Sequence, residues 1–445
     1  MADTGEPTAL SQSAATVPRR GGDPFGEAAS AAARRILVLV LADYRGPVAV
    51  DLWNGERIVG NDDAPCALVF RHPSVLREQL LHRDLMRLGE SYLTGEVDMV
   101  GDIEALFDLV EYLRRHELTW SARLSVVPEA LHLPRAEVLF DSHSIRAGRS
   151  ARRNSRISIA HHYDVGNDFY RLWLDPEMVY SCAYFRDPDQ SLAAAQRDKL
   201  DYLCRKLRLA RGQTLLDIGC GWGALVCWAA RRYGVQAHGI TLSEQQYTYA
   251  LERVRREGLA DLVRVEMRDY RDLPDEACYD RVVSVGMFEH IGLANFPLYF
   301  DTVKRVLKSG GLFLNHGITS GTRWQESSIT HFVNRYVFPD GELARISDVV
   351  DAMEQAGFDI IDTEELRRHY ALTLRRWVRA LEAHYPQAAA LVDEASYRVW
   401  RLYMAGAAYY FEVGSIGVHQ VLAGHVGAPL AIPLRRDDLY LKEEE

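Results

Sequence analysis

The stretch "TLLDIGCGWGALVCWAARRYG", residues 214–234, admits few folds. An apolar run ends at Asp217, glycines follow at 219, 221 and 223, and a helical pattern begins at once. A strand that turns into a helix through glycines lets a ligand approach the backbone, and the helix start offers N–H groups to it. The surrounding sequence repeats this logic. From about residue 198, strand patterns ("VQAHGIT", "VRVEM", "DRVVSVGM", "LFLNHGI", "FDIIDTEEL") alternate with helical ones ("SEQQYTYALERVRREG", "YFDTVKRVLKSG", "ISDVVDAMEQAG"). Such alternation predicts an α/β domain with a mostly parallel sheet covered on both faces.

The loop narrows the ligand. It reads GxGxG rather than GxGxxG, and the second strand ends at Thr241 where a dinucleotide site would carry an acid, so a dehydrogenase is disfavoured. No GKS/T follows, which excludes a P-loop. The turn, with Asp217 just before it, resembles the S-adenosylmethionine (SAM) loop of class I methyltransferases. After the third strand, "MRDYRDL" puts Asp269 and Tyr270 where an adenine contact is expected, although an acid there also suits a plain surface.

A second strand, "VVSVGMFEHIG", delivers Glu289 and His290 to its end. A solvated strand end is the plain explanation, and a catalytic carboxylate at the rim of a pocket is the sharper one. His316 after "LFLN" reads, alone, as a satisfied core histidine. Cys182 reads as a small buried hydrophobe and Tyr336 as packing.

The rest of the chain sets the context. Residues 1–35 are Ala-, Gly-, Pro- and Ser-rich and are expected to be a disordered tail. Residues 36–115 form a small α+β unit, with "VAVDLWNGERIVG" as a hairpin turning at Asn54-Gly55. Residues 116–155 form a linker, and the segment "SIRAGRSARRNSR" across its end carries Arg146, Arg149, Arg152, Arg153 and Arg156 without an acid, a solvated run or a phosphate-facing one. Residues 156–445 form the catalytic domain, ending in amphipathic, aromatic-rich stretches at 370–384 and 395–422. The net charge of −10 argues against general nucleic-acid binding. Six cysteines without a CxxC pair argue against zinc and a disulfide framework, and fit a reducing compartment. The seven-residue apolar run Ile36–Ala42 is short for a secretory signal, and nothing approaches the ~18 apolar residues of a spanning helix.

Six ordered segments, "HHYDVGNDFYRLWLDPEMVYSCAYF", "LDIGCGWG", "GITLSEQQ", "VSVGMFEHIG", "NHGIT" and "RYVFPDGELARIS", together resemble the cyclopropane-fatty-acyl-phospholipid synthase family, which includes the mycolic acid cyclopropane synthases. "GESYLTGEVDMVGDIEALF" resembles the N-terminal domain of its phospholipid-acting members, which makes residues 36–115 lipid-binding-like. The resemblance implies a class I SAM-methyltransferase (Rossmann-like) domain with helical acyl-binding additions. It implies transfer of a methylene from SAM to the cis double bond of an unsaturated phospholipid acyl chain.

The same resemblance implies the residue roles. Tyr163, Asp217, Gly219, Gly221, Thr241, Gln246, Asp269 and Tyr270 would hold SAM. Glu289, His316 and Tyr336 through side chains, with Cys182 and Ile318 through backbone groups, would hold bicarbonate as the base. The expected setting is cytoplasmic, peripheral to the inner face of the membrane, with a homodimer left open. Asn315 and Gly317 depart from the family pattern around His316, where an apolar neighbour and a threonine-like residue are expected. This leaves open a sister enzyme forming methylene- or methyl-branched chains. A methyltransferase of small soluble amines and a non-catalytic lipid-binding protein are the remaining alternatives.

Overall fold

The computed structural model describes residues 23–82, 85–116, 120–135, 166–322, 328–338, 341–429 and 432–440. The chain divides into two units, Met1–Arg146 and Ala147–Glu445. Tyr163 and the arginines at 146–156 lie outside the described residues.

The first unit holds a four-stranded sheet of β1 (Val48–Asp51), β2 (Arg57–Val59), β3 (Cys66–Phe70) and β4 (Val97–Gly101), in the order β2-β1-β3-β4. The Asn54-Gly55 hairpin forms as expected. Asn54 Oδ1 accepts the Glu56 N–H at 3.0 Å, and Gly55 takes a positive φ of 80°. Two expectations are corrected. The segment expected to be a tail turns helical at Glu27, because "EAASAAARRILVLV" is dominated by the best helix former. The segment expected to be a linker contains the helix Trp120–His132. The Arg77 guanidinium donates to the Leu133 carbonyl at 2.7 Å and ties the end of that helix to the helix Ser74–His82.

The second unit is a seven-stranded sheet of β5 (Thr214–Ile218), β6 (Gln236–Thr241), β7 (Val263–Met267), β8 (Tyr279–Val285), β9 (Leu307–Ser320), β10 (Phe358–Glu365) and β11 (Ile416–His425), ordered β10-β11-β9-β8-β5-β6-β7. Strands β7, β6, β5, β8 and β9 run parallel, as the alternation predicts. Two apolar clusters cover opposite faces of the sheet. One contains Leu215, Val283 and Leu314, the other Leu216, Val282 and Phe313.

Strand β11 pairs antiparallel with both β9 and β10. The stretch 395–422, read as one amphipathic element, therefore splits. The helix Glu394–Glu412 ends, Gly414 takes a positive φ of 75°, and "IGVHQVLAGH" continues as a strand. Its two-residue alternation hides at the end of a longer helical pattern.

The order locates a crevice. The chain steps outward from β5 to β6 and β7, then returns to β8 on the other side of β5. Sheets of this class bind ligands at such a switch, beyond the carboxyl ends of the strands.

Candidate active site

A cleft opens at that switch. Its wall includes Asp217, Gly219 and Gly221 after β5, Thr241 and Gln246 after β6, Asp269 and Tyr270 after β7, and Gly286 and Met287 after β8. Seven of the eight expected cofactor residues thus share one cavity, and Tyr163 lies outside the described residues. Gly221 has φ +53°, and an added Cβ there would meet nothing within 4 Å, so the loop leaves an open cradle. Thr241 donates its hydroxyl to Gln246 Oε1 at 2.9 Å, which locks these two buried groups together. Asp269 is buried and takes both prongs of the Arg271 guanidinium, at 2.9 and 2.6 Å.

Asp217 is the electrostatic centre of the cleft. It is buried, its Oδ1 has no partner among the described residues, and burial pushes its pKa up to about 7. Lys199 lines the same cavity. Burial pulls its pKa down to about 8, and its ammonium donates to Ser181 Oγ at 3.0 Å. A cavity with a buried anion and a buried cation fits the ammonium and carboxylate of an amino-acid moiety. With the open cradle at Gly221, these residues fit SAM.

Sequence reasoning missed Tyr180, Ser181 and Lys199 in the cavity wall. Tyr180 and Ser181 directly precede Cys182. Lys199 falls on the buried stripe of the helix Leu192–Lys206, with Ala195, Leu200 and Leu203. A lysine at a core position was the available signal.

Of the expected catalytic residues, Glu289 and Ile318 are in direct contact. Glu289 sits on a single turn just after β8, buried, with Gly286, Met287 and His290 of the same loop lining the cleft. Its Oε1 accepts the Ile318 N–H at 3.3 Å, so two expected anion ligands are bonded to each other. Its Oε2 has no partner among the described residues, and burial pushes its pKa up to about 7. His316 is buried on β9, and burial holds its pKa well below the usual imidazole range. Gln420 of β11 donates to His316 Nδ1 at 3.1 Å, which leaves the proton on Nε2, a buried donor without a partner among the described residues.

Cys182 is buried, and its thiol donates to the Leu366 carbonyl at 3.8 Å. Ala183 N–H donates to Thr373 Oγ1 at 3.1 Å. These bonds fix the Cys182 segment against the helix Arg367–Ala383, whose Tyr370 is buried. Tyr336 is half-buried at the end of the helix Ser328–Tyr336 and packs on Phe332 at 4.9 Å.

The aromatic stretches of the C-terminal region reach the site. Trp377 and Trp400 pack on Trp173 at 5.5 and 5.6 Å, and both pack on Tyr180, which lines the cleft.

Comparison with known proteins agrees with this fold. A family model described as mycolic acid cyclopropane synthetase matches residues 150–421. A probable fatty acid methyltransferase of Pseudomonas putida is 41% identical over 399 residues, covering 88% of this chain and 96% of the relative. The cyclopropane-fatty-acyl-phospholipid synthase of Escherichia coli K12 is 34% identical over 380 residues, covering 84% and 92%. The crystal structure of mycolic acid cyclopropane synthase CmaA1 complexed with SAH and CTAB matches with a TM-score of 0.58 and 35% identity, covering 60% of this chain and 98% of that one.

Proposed function

The chain belongs to the mycolic acid cyclopropane synthetase family and is a SAM-dependent methyltransferase, and on that premise we propose that it forms a cyclopropane ring on an unsaturated phospholipid acyl chain. One observation carries this reading: a buried carboxyl group, Glu289, whose own loop lines the cavity built for SAM. An alkene is a weak nucleophile, and methylation leaves a carbocation that closes to a ring only by losing a proton from the new methyl. That chemistry needs a dry cavity, a stabilising anion and a base held in place.

SAM, when bound, supplies the methyl on a sulfonium and leaves as S-adenosylhomocysteine. Asp217 holds its positive charge, and the glycine loop with Thr241, Gln246, Asp269 and Tyr270 holds the rest. The buried aromatic cluster of Trp173, Trp377 and Trp400 keeps water away. Bicarbonate is the proposed base, since an apolar site offers few others. His316 Nε2–H is a buried donor suited to such an anion, and Glu289 accepts from its hydroxyl and orients it. Ile318 N–H and the Cys182 segment complete the expected set, with Ile318 shared between Glu289 and the anion. Tyr336 remains part of the proposal on the motif alone.

The acyl chain resides in a bilayer, and no helix of the described residues is long and apolar enough to cross one. The proposed enzyme therefore works at the inner membrane face from the cytoplasm, with residues 36–115 and the arginine segment as lipid-contacting parts. A homodimer is compatible with this. A second reading, methyl transfer without ring closure, is favoured by the departures at Asn315 and Gly317 and by the P. putida relative's name.

Incubation with SAM and unsaturated phospholipid vesicles tests both. The cyclopropane reading expects the high-field ring protons in the NMR spectrum of the product. Olefinic methylene signals support the second reading. Turnover of a soluble amine with inert vesicles overturns both. Bicarbonate depletion should slow the reaction and re-addition restore it, and indifference would exclude the anion.

A further inference from the structure

Asn315 and Gly317, which depart from the family pattern, share one face of β9. Strand alternation aligns them with Phe313, in the cluster that holds Phe288 and Tyr299, on the face opposite His316. A Cβ on Gly317 would lie 2.2 Å from the Phe288 ring and 2.6 Å from Glu289 Oε2. Gly317 is therefore the space into which the Glu289 carboxyl group turns.

Asn315 stands one pleat along the same face, 1% exposed, and neither Nδ2 nor Oδ1 has a hydrogen-bond partner among the described residues. Glu289 Oε2 lacks one too, and the fully buried Tyr299 hydroxyl lies beside the Ser284 side chain. Ser284 lies opposite Asn315 in the β8–β9 register and donates to the Ile218 carbonyl at 3.2 Å. Tyr299 packs edge-on against Tyr270 of the cofactor cleft at 5.3 Å. A buried amide without partners is rare, and several such groups together commonly enclose a water.

We propose that Asn315 is a positioning residue for Glu289: its amide N–H, through one buried water shared with the Tyr299 hydroxyl, holds Oε2 and sets the protonation of the carboxyl group. The proposal rests on the reading of Glu289 as the carboxylate of the site. Ile318 N–H already serves Oε1, so Asn315 completes a carboxylate bonded at both oxygens, which favours its ionised form. The titratable groups around it are His290 on its own turn, Tyr299 and Tyr270 on the covering elements, Asp217 on β5, and His316 on the reverse of β9. Burial keeps both histidines neutral near pH 7, and no lysine or arginine contributes to the Glu289 shift. Its own backbone N–H and that of Ile318 already favour the ionised form, and the amide adds to them at Oε2.

Asn315→Leu removes the amide at similar volume. The expected result is a rise of about one pH unit in the acid limb of kcat/KM, with KM for SAM unchanged. The infrared band of protonated Glu289, assigned by its loss in Glu289→Gln, should titrate higher by the same amount. Asn315→Ser should restore part of the shift, and Tyr299→Phe should move both readouts in the same direction as Asn315→Leu. A folded Asn315→Leu protein with both readouts unmoved overturns the proposal. Should that variant not fold, unmoved titrations in Asn315→Ser and Tyr299→Phe overturn it equally. Full turnover by Glu289→Gln would instead overturn the role of Glu289, while the infrared titration still decides that of Asn315.

Discussion

Burial raises the Glu289 pKa to about 7, so near neutral pH this side chain populates both protonation states. The folded value lies above the ordinary 4.5, so the folded protein keeps a proton that the unfolded chain releases between those limits. The stability from this group is complete below the unfolded value and lost as pH rises through 7. Glu289→Gln, which needs no proton, should gain stability over the parent by roughly 1–3 kcal/mol between ~pH 5 and ~pH 8, read by denaturant titration. The same variant should lose turnover by about 10²-fold or more while SAM affinity holds. Equal loss of both would contradict the assigned role. Asp217 is also raised to about 7 by burial, and in the proposed role a cationic ligand beside it favours its ionised form. SAM should therefore bind more tightly as pH rises through 7, with proton release visible by calorimetry in buffers of different ionisation heat. At this scale the sequence identified Asp217 and Glu289 by type and position at strand ends. Lys199 was missed, because its place on the apolar stripe of its helix was the only signal and does not reveal where its ammonium ends.

Among the elements, two close approaches decide the site. The glycine loop after β5 has Gly221 at φ +53° with open space where a side chain would go. Gly221→Ala should cost ~1–2 kcal/mol of backbone strain and weaken SAM binding by about tenfold or more, since the new methyl enters the cofactor's space. Titration calorimetry and thermal melts separate the two effects. Gly317 is a different case. It lies in a strand, and its missing Cβ makes room for Phe288 and Glu289 rather than loosening the chain. Gly317→Ala should destabilise by ~1–3 kcal/mol through overpacking, measured by urea unfolding, with turnover falling as Glu289 is displaced. The parallel core strands were legible because each carries an apolar run bounded by turn residues. Strand β11 was not, because the preceding helix Glu394–Glu412 shares its apolar density and only Gly414 marks the change of period. The helix Trp120–His132 was obscured by Pro128 inside it.

For the molecule as a whole, the cleft and every described site residue belong to the second unit, and a solved relative matches over 60% of this chain and 98% of itself. A fragment beginning near Ala147 should therefore bind SAM as the full chain does and lose turnover on phospholipid vesicles, with the loss greatest at low anionic-lipid content. Equal activity on vesicles would deny the first unit a lipid role. The sequence by itself determined the α/β class, the SAM loop and the family, because those depend on periodicity and on local motifs whose residues are neighbours in the chain. Only the tertiary structure decided that Glu289 bonds Ile318, that Gly317 makes room for that carboxyl group, and that Lys199 and Asp217 line one cavity. Those relations join residues far apart in sequence, and they arise from strand order and burial, which remove water and make each unpaired polar atom matter.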